Sequence, residues 1–263
     1  MGAIALTTRY LKYRATAKSR FKTHSPFVFD LINHVFRNKE YYNDFAILDN
    51  YFDELKQKES AIETTDFGAG AGENDYKVYL KPLGKIVKER SHTKPRLHLL
   101  YNLMKYFRPE TMLEFGTAAG VSSMYLKKGL PESRMVTMEG CPGLCAVARE
   151  NFERMKLENI TVSNGNFDVI LPEVLKSFDK LDFVFFDGNH RKEPTLNYFN
   201  QCMEKAHENT LFVFDDIHWS KGMETAWNTI KADNRVSLTI DIFWFGMVFF
   251  KKGVVKQDFI IKY

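Results

Sequence analysis

From Pro109 onward, short apolar runs alternate with segments whose apolar positions recur three and four residues apart. The runs near 111–115, 134–139, 160–163, 181–187 and 210–215 predict strands. The segments near 121–129, 142–156, 168–178, 193–207 and 222–232 predict helices. Strand–helix alternation of this kind predicts parallel βαβ units, and so an α/β, doubly wound open sheet with helices on both faces. The stretch SLTIDIFWFGMVFFKK predicts two more strands joined by a turn at Trp244–Gly246, an antiparallel hairpin at the sheet edge. QDFIIKY follows as a last strand or a tail.

Residues 1–95 have a different pattern and are predicted to be mostly helical, an extension or lid on a second unit spanning 96–263. Ser25-Pro26 is a cap followed by a first-turn proline, with Phe27, Leu31, Ile32, Val35 and Phe36 on one face behind it. A further helix is expected over about 44–58, then a polar, glycine-rich break over 60–75. Arg96–Phe107 is an amphipathic helix stopped by Pro109.

Composition narrows the class. The chain has 263 residues, 44% hydrophobic and 27% charged, ordinary for a globular protein with a real core. No apolar run is long enough to span a bilayer, and the start is too short and too basic for a signal peptide. Cys141, Cys145 and Cys202 offer no disulfide framework, so a reducing cytoplasm is expected and membrane association is not. Cys141 and Cys145 lack a second ligand pair and read as packing residues rather than zinc ligands. The net charge of +4 is concentrated in Arg9, Lys12, Arg14, Lys18, Arg20 and Lys22. Without a nucleic-acid motif, that cluster reads as the solvated face of a helix packing Tyr10, Leu11 and Tyr13 on a neighbour. Self-association is compatible with the sequence but not indicated by it.

The candidate chemistry begins at 111–122, TMLEFGTAAGVS: a strand, a glycine turn and a helix start. A dinucleotide fingerprint starting at Gly116 would need glycines where Ala118 and Val121 stand. The pattern is instead acid-x-Gly-x-Ala-x-Gly, from Glu114 to Gly120. The next strand ends in Glu139, nineteen residues beyond Gly120, a carboxylate placed to accept both hydroxyls of a ribose. Asp66–Gly72 matches the glycine pattern more closely, but no apolar strand precedes it and no helix follows, so it reads as a loop or lid.

Open α/β sheets bind ligands beyond the carboxyl ends of their strands. FVFFDGNH ends at Asp187 with His190 close behind, and LFVFDDIHW ends at Asp215-Asp216 with His218 behind. Adjacent strands would put three carboxylates at one edge of the cleft, where mutual repulsion favours a divalent cation, magnesium, calcium or manganese before zinc. The simpler alternative is helix capping by these aspartates.

EFGTAAGVS, VTMEG, FFDGNH and FDDIH, in that order, resemble the metal-dependent small-molecule O-methyltransferases of class I, including the catechol type and bacterial sugar O-methyltransferases. The resemblance covers about 111–250 and implies a Rossmann-like, mostly parallel seven-stranded sheet and S-adenosylmethionine as cofactor. It implies that Glu114, Gly116 and Ser122 hold the methionine end and Glu139 the ribose, with Thr117, Ala118, Gly120, Gly140, Asn166 and Phe167 as further cofactor contacts. It implies that Asp187, Asp215 and Asp216 bind a metal, most readily Mg2+, with Asp187 also touching the cofactor. Catechol enzymes have lysine as base where this chain has His190, and asparagine where it has Asp216. Asn166 stands where many class I members place an acid. The expected reaction is methyl transfer to a hydroxyl of a small molecule, with His190 taking the proton. The competing expectations are an N-methyltransferase acting on RNA or protein, disfavoured by the lack of an Asn-Pro-Pro-Tyr-like motif, and a non-catalytic binder of the same cofactor. Trp219, Trp244 and His218 are expected mainly to pack.

Overall fold

The computed structural model describes residues 3–65 and 78–263. Ten helices are named here in chain order: α1 (Ala3–Thr16), α2 (Pro26–Leu31), α3 (Asn43–Leu55), α4 (Leu83–Arg90), α5 (Lys94–Phe107), α6 (Val121–Gly129), α7 (Pro142–Arg154), α8 (Phe167–Lys176), α9 (Lys192–Met203) and α10 (Lys221–Ala232). The strands are β1 (Ala61–Thr65), β2 (Val78–Pro82), β3 (Thr111–Phe115), β4 (Arg134–Glu139), β5 (Ile160–Asn164), β6 (Leu181–Phe186), β7 (Ala206–Asp215), β8 (Leu238–Asp241), β9 (Phe245–Phe249) and β10 (Gln257–Ile260).

The main sheet has eight strands in the order β10-β8-β9-β7-β6-β3-β4-β5, and β9 is the one reversed strand. Alternate residues of its inner strands feed two separate cores. Met112, Phe183, Phe185 and Val213 face α2 and α5, whereas Leu113, Phe115, Val184, Phe186 and Phe214 face α8, α9 and α10. Both alternating sets are apolar because helices cover both faces of the sheet. The chain order reverses between β3–β4–β5 and β6–β7, so ligands are expected at the carboxyl ends of β3 and β6.

Three details differ from the sequence reading. The turn between β8 and β9 is Ile242–Trp244, not Trp244–Gly246. Gly246 lies inside β9 because a Cβ there would come within 2.8 Å of the Trp227 ring, so the glycine serves close packing. QDFIIKY does form a strand, β10, which pairs in parallel with β8 and raises the count from the expected seven to eight. The polar break conceals β1, which pairs with β2 in a separate two-stranded antiparallel sheet. β1 rests on the start of α7, where Cys141 Sγ donates to the Glu63 carbonyl at 3.3 Å. The glycine-rich segment 66–72 lies outside the described residues.

The N-terminal helices share the body's cores. Ser25 caps α2 by accepting from the Val28 amide, and the helix continues as a π-turn to Phe36. Val28, Leu31, Ile32 and Val35 are buried in one cluster with Leu99, Leu103 and Met112. On α1, Tyr13 is buried and its hydroxyl donates to the Ile261 carbonyl at 2.5 Å, whereas Leu11 faces solvent. All three cysteines are buried and unpaired. Among the described residues no helix is long and apolar enough to cross a membrane.

Candidate active site

Beyond the carboxyl ends of β3 to β7 lies a cavity of about 520 Å3. Its wall includes Gly116, Ala118, Glu139, Gly140, Asn166, Phe167, Asp187, His190, Asp215 and Asp216. Four expected cofactor contacts, Glu114, Thr117, Gly120 and Ser122, are not on this wall; Thr117 and Ser122 edge a small adjoining recess.

The loop after β3 is built for close approach. Gly116 has φ +92, and a Cβ there would lie 2.1 Å from the Asp187 carbonyl oxygen. The bend therefore needs glycine both for its conformation and for contact with the exit of β6. Ala118 also takes a left-handed conformation, φ 46, and its amide donates to Glu139 Oε2 at 2.9 Å. Glu139 Oε1 accepts from the Cys141 amide at 2.8 Å, so this one carboxylate joins the loop to the start of α7. Burial pushes Glu139 above the usual carboxylate range, opposed by those amide hydrogen bonds. Asn166 caps α8, accepting from the Asp168 amide, and Phe167 follows as a flat wall.

Glu114 lies behind this loop for a reason of parity. It shares a strand face with Met112, and its side chain turns toward α6 and β4 rather than the cavity. It is fully buried and accepts from the Ser122 hydroxyl at 2.6 Å, the Thr137 hydroxyl at 2.6 Å and the Ser123 hydroxyl. Burial pushes its pKa up against these three donors. Ser122 is thereby committed to Glu114, and Thr117 is engaged with Thr137 at 2.6 Å.

The aspartates do converge. Phe185 pairs with Val213 and Phe186 with Phe214, and the same register continued brings Asp187 level with Asp215. Burial pushes both carboxyls well above the usual range. Asp187 is raised further by the charges of Glu114 and Asp216, and Asp215 by those of Asp216 and Asp187. Asp215 Oδ1 is buried with no hydrogen-bond partner among the described residues. Asp216 sits in a left-handed conformation, φ 52, held by its amide donating to the Trp244 carbonyl at 2.9 Å. His190 Nε2 lies 3.8 Å from Asp187 Oδ1. Burial pushes His190 down, against the pull of the Asp216 charge.

Two wall residues had no signal at the strand ends. His92, in the link between α4 and α5, has Nε2 2.9 Å from Asp187 Oδ2 and Nδ1 4.0 Å from Asp215 Oδ1. Arg96, in the first turn of α5, stacks its guanidinium 3.6 Å from the Trp244 ring centre and lines the cavity beside the aspartates. One ligand atom from each of His92, Asp187 and Asp215 lies within 4.8 Å of the others, and the same holds for His190, Asp215 and Asp216. The only hint of His92 and Arg96 was a polar stretch, ERSHTKPR, between two amphipathic helices. Trp219 also reaches the cavity wall. His218 does not: its Nε2 is 2.8 Å from Asp241 and its ring stacks on Phe243.

Residues 113–217 match a family model described as a methyltransferase domain. The chain is 30% identical over 118 residues to a catechol O-methyltransferase of Niastella koreensis, covering 44% of this chain and 52% of that one. A catechol O-methyltransferase of Mycobacterium tuberculosis is 31% identical over 108 residues, covering 40% and 47%. The chain thus spans about half the length of these curated relatives. Its fold is similar to that of the SAH-bound Podospora anserina methyltransferase PaMTH1, with TM-score 0.60 and 13% identity over 88% of this chain and 97% of that one. Residues 113–217 are thus similar to that methyltransferase-domain family, and the chain has the α/β Rossmann-like methyltransferase fold.

Proposed function

We propose that this protein transfers a methyl group from S-adenosylmethionine to a hydroxyl oxygen of a small molecule, assisted by a divalent cation held by Asp187, Asp215 and Asp216. The observation that carries the reading is Asp215 Oδ1, a buried carboxyl oxygen without a hydrogen-bond partner among the described residues, beside a second buried carboxyl. An unmet buried acceptor costs roughly 1–3 kcal/mol, more for a charged group, unless a ligand satisfies it. Carboxylate oxygens joined by imidazole suit a divalent ion.

The cofactor's fit rests on the cradle after β3. Gly116, Ala118, Glu139 and Phe167 all line one cavity, as a sulfonium nucleoside with a ribose and an adenine would require. When bound, the cation would lower the pKa of an acceptor hydroxyl and the sulfonium would supply the methyl group. Glu139 would accept from the ribose hydroxyls. His190, whose charged form burial disfavours, would take the acceptor's proton at Nε2. Alignment of oxygen and methyl carbon by these walls could supply about 7–11 kcal/mol in good cases. His92, Arg96 and Trp219 would shape the acceptor side, giving the N-terminal third a part in specificity. The names of the catechol O-methyltransferase relatives support a small hydroxylated acceptor. Buried, unpaired cysteines support a reducing, cytoplasmic setting.

Calorimetry of S-adenosylmethionine with and without Mg2+, on wild type and Asp216→Ala, tests the reading. The cofactor should bind both proteins within about tenfold, as expected if metal and cofactor have separate ligands. The variant should lose the metal titration and turnover. An unaltered metal titration in the variant removes the three-carboxylate site.

A further inference from the structure

We infer that His92 supplies a nitrogen donor to the ion site, and that the site therefore selects a later first-row transition ion such as Co2+ over Mg2+. This rests on the metal-assisted reading above and adds a ligand from outside the matched methyltransferase segment, 113–217.

The argument starts from where the protons can be. The His92 side chain is 7% exposed, its ring lodged against Phe185 and Phe245 at centroid distances of 5.8 and 5.2 Å. Nε2 and Asp187 Oδ2 are 2.9 Å apart, a hydrogen bond that an ionised Asp187 accepts from Nε2–H. In a neutral ring that leaves Nδ1 with a lone pair. Nδ1 faces Asp215 Oδ1 across 4.0 Å, and that oxygen has no hydrogen-bond partner among the described residues. Two lone-pair atoms thus oppose each other in a buried place, too far apart for a hydrogen bond even if the ring were charged. A gap of that width is about twice the 2.0–2.2 Å length of a zinc-type bond to nitrogen or carboxylate oxygen, so one cation would satisfy both atoms. Asp187 would then act on the imidazole as metal-bound histidines are held elsewhere, by accepting the proton of the other ring nitrogen and fixing the tautomer.

The donor type decides the ion. Carboxylates alone suit Mg2+, Ca2+ and Mn2+, whereas imidazole nitrogen favours the later first-row ions and Mg2+ sheds water for it reluctantly. An ion so bound would also tie the α4–α5 link to the ends of β6 and β7, so occupancy should be felt in the N-terminal region as well as in turnover.

The test uses the full chain stripped with a chelator. Mg2+, Mn2+ and Co2+ are titrated separately by calorimetry, and the Mn2+-loaded protein is examined by pulsed electron paramagnetic resonance for coupling to a bound imidazole nitrogen. Co2+ should bind at least about tenfold more tightly than Mg2+. The nitrogen coupling should be present in wild type, persist in His190→Gln and vanish in His92→Gln. Coupling that persists in His92→Gln overturns the inference. So does Mn2+ bound without any nitrogen coupling; if Asp216→Ala still abolishes that binding, the carboxylate reading survives alone. Wild type that binds none of the three ions overturns both. If His92→Gln fails to fold, the wild-type and His190→Gln spectra and the ratio of Co2+ to Mg2+ affinity decide.

Discussion

Glu114 and Asp215 are both carboxylates at the carboxyl edge of one sheet, 0% and 4% exposed, and burial pushes both above the usual range. Their surroundings are opposite. Three hydroxyls from α6 and β4 converge on Glu114, so every demand of its charge is met within the fold. Asp215 has a second buried carboxyl, a third close by and, among the described residues, an oxygen with no donor. Burial is common to both groups and therefore does not distinguish them. Unmet hydrogen-bonding capacity does: among the described residues it separates Asp215, with an oxygen that no donor reaches, from Glu114, whose hydroxyl donors hold it beneath the loop.

The contrast breaks most visibly through Glu114→Ala, which leaves three buried hydroxyls facing a cavity. Stability should fall by about 3–5 kcal/mol, the range for dismantling a buried polar network. Thermal and urea unfolding followed by circular dichroism measure this, and a loss below about 1 kcal/mol would show that Glu114 is not a brace. Asp215→Asn should do the reverse. It replaces a repelled charge with a neutral amide of the same shape, so the melting temperature should hold or rise. Turnover should fall at least about 100-fold, or about 2.7 kcal/mol in the barrier. Steady-state kinetics beside a thermal melt separates the two effects, and parallel losses would erase the distinction.

The smallest effect sharpens the comparison through pH. His218 is a satisfied group like Glu114. Burial opposes its charge, but hydrogen bonds and charges from Asp241 and Glu224 outweigh that and raise its pKa. A histidine raised on folding contributes stability that is complete below the unfolded value near 6.5, and the contribution disappears as pH climbs through the folded value. His218→Gln should therefore cost about 1 kcal/mol at pH 5.5 and progressively less in alkaline buffer. A pH series of melting temperatures checks this; a pH-independent difference would mean packing on Phe243 alone.

Much of the site could be read along the chain because its parts repeat one local device. Three of the five apolar runs from 111 to 215 end in an acid, at Glu139, Asp187 and Asp215, and the run lengths of FVFFD and LFVFD are matched closely enough for β6 and β7 to bring Asp187 and Asp215 level. Glu114 departs from that pattern. It precedes the last residue of its strand, and strand parity turns it toward α6, an alternation legible in the sequence. Gly246 misled in a related way, since a glycine after aromatic residues suggests a turn, whereas here it makes room for Trp227. β1 was hidden by the polar composition of a short strand that pairs with β2 apart from the main sheet.

What the chain settled unaided was local: periods of two and 3.6, caps such as Ser25-Pro26, the glycine bend at Gly116, and acids at strand ends. These depend on residues a few positions apart and so survive without knowledge of the fold. Tertiary structure alone decided that His92 would stand against Asp187, ninety-five residues away in sequence, and that Arg96 would lie over Trp244. It also decided that Glu114 would be satisfied and Asp215 would not. Whether a buried charge finds its donors depends on which helices the packing of two cores brings over each strand end, and no local pattern encodes that.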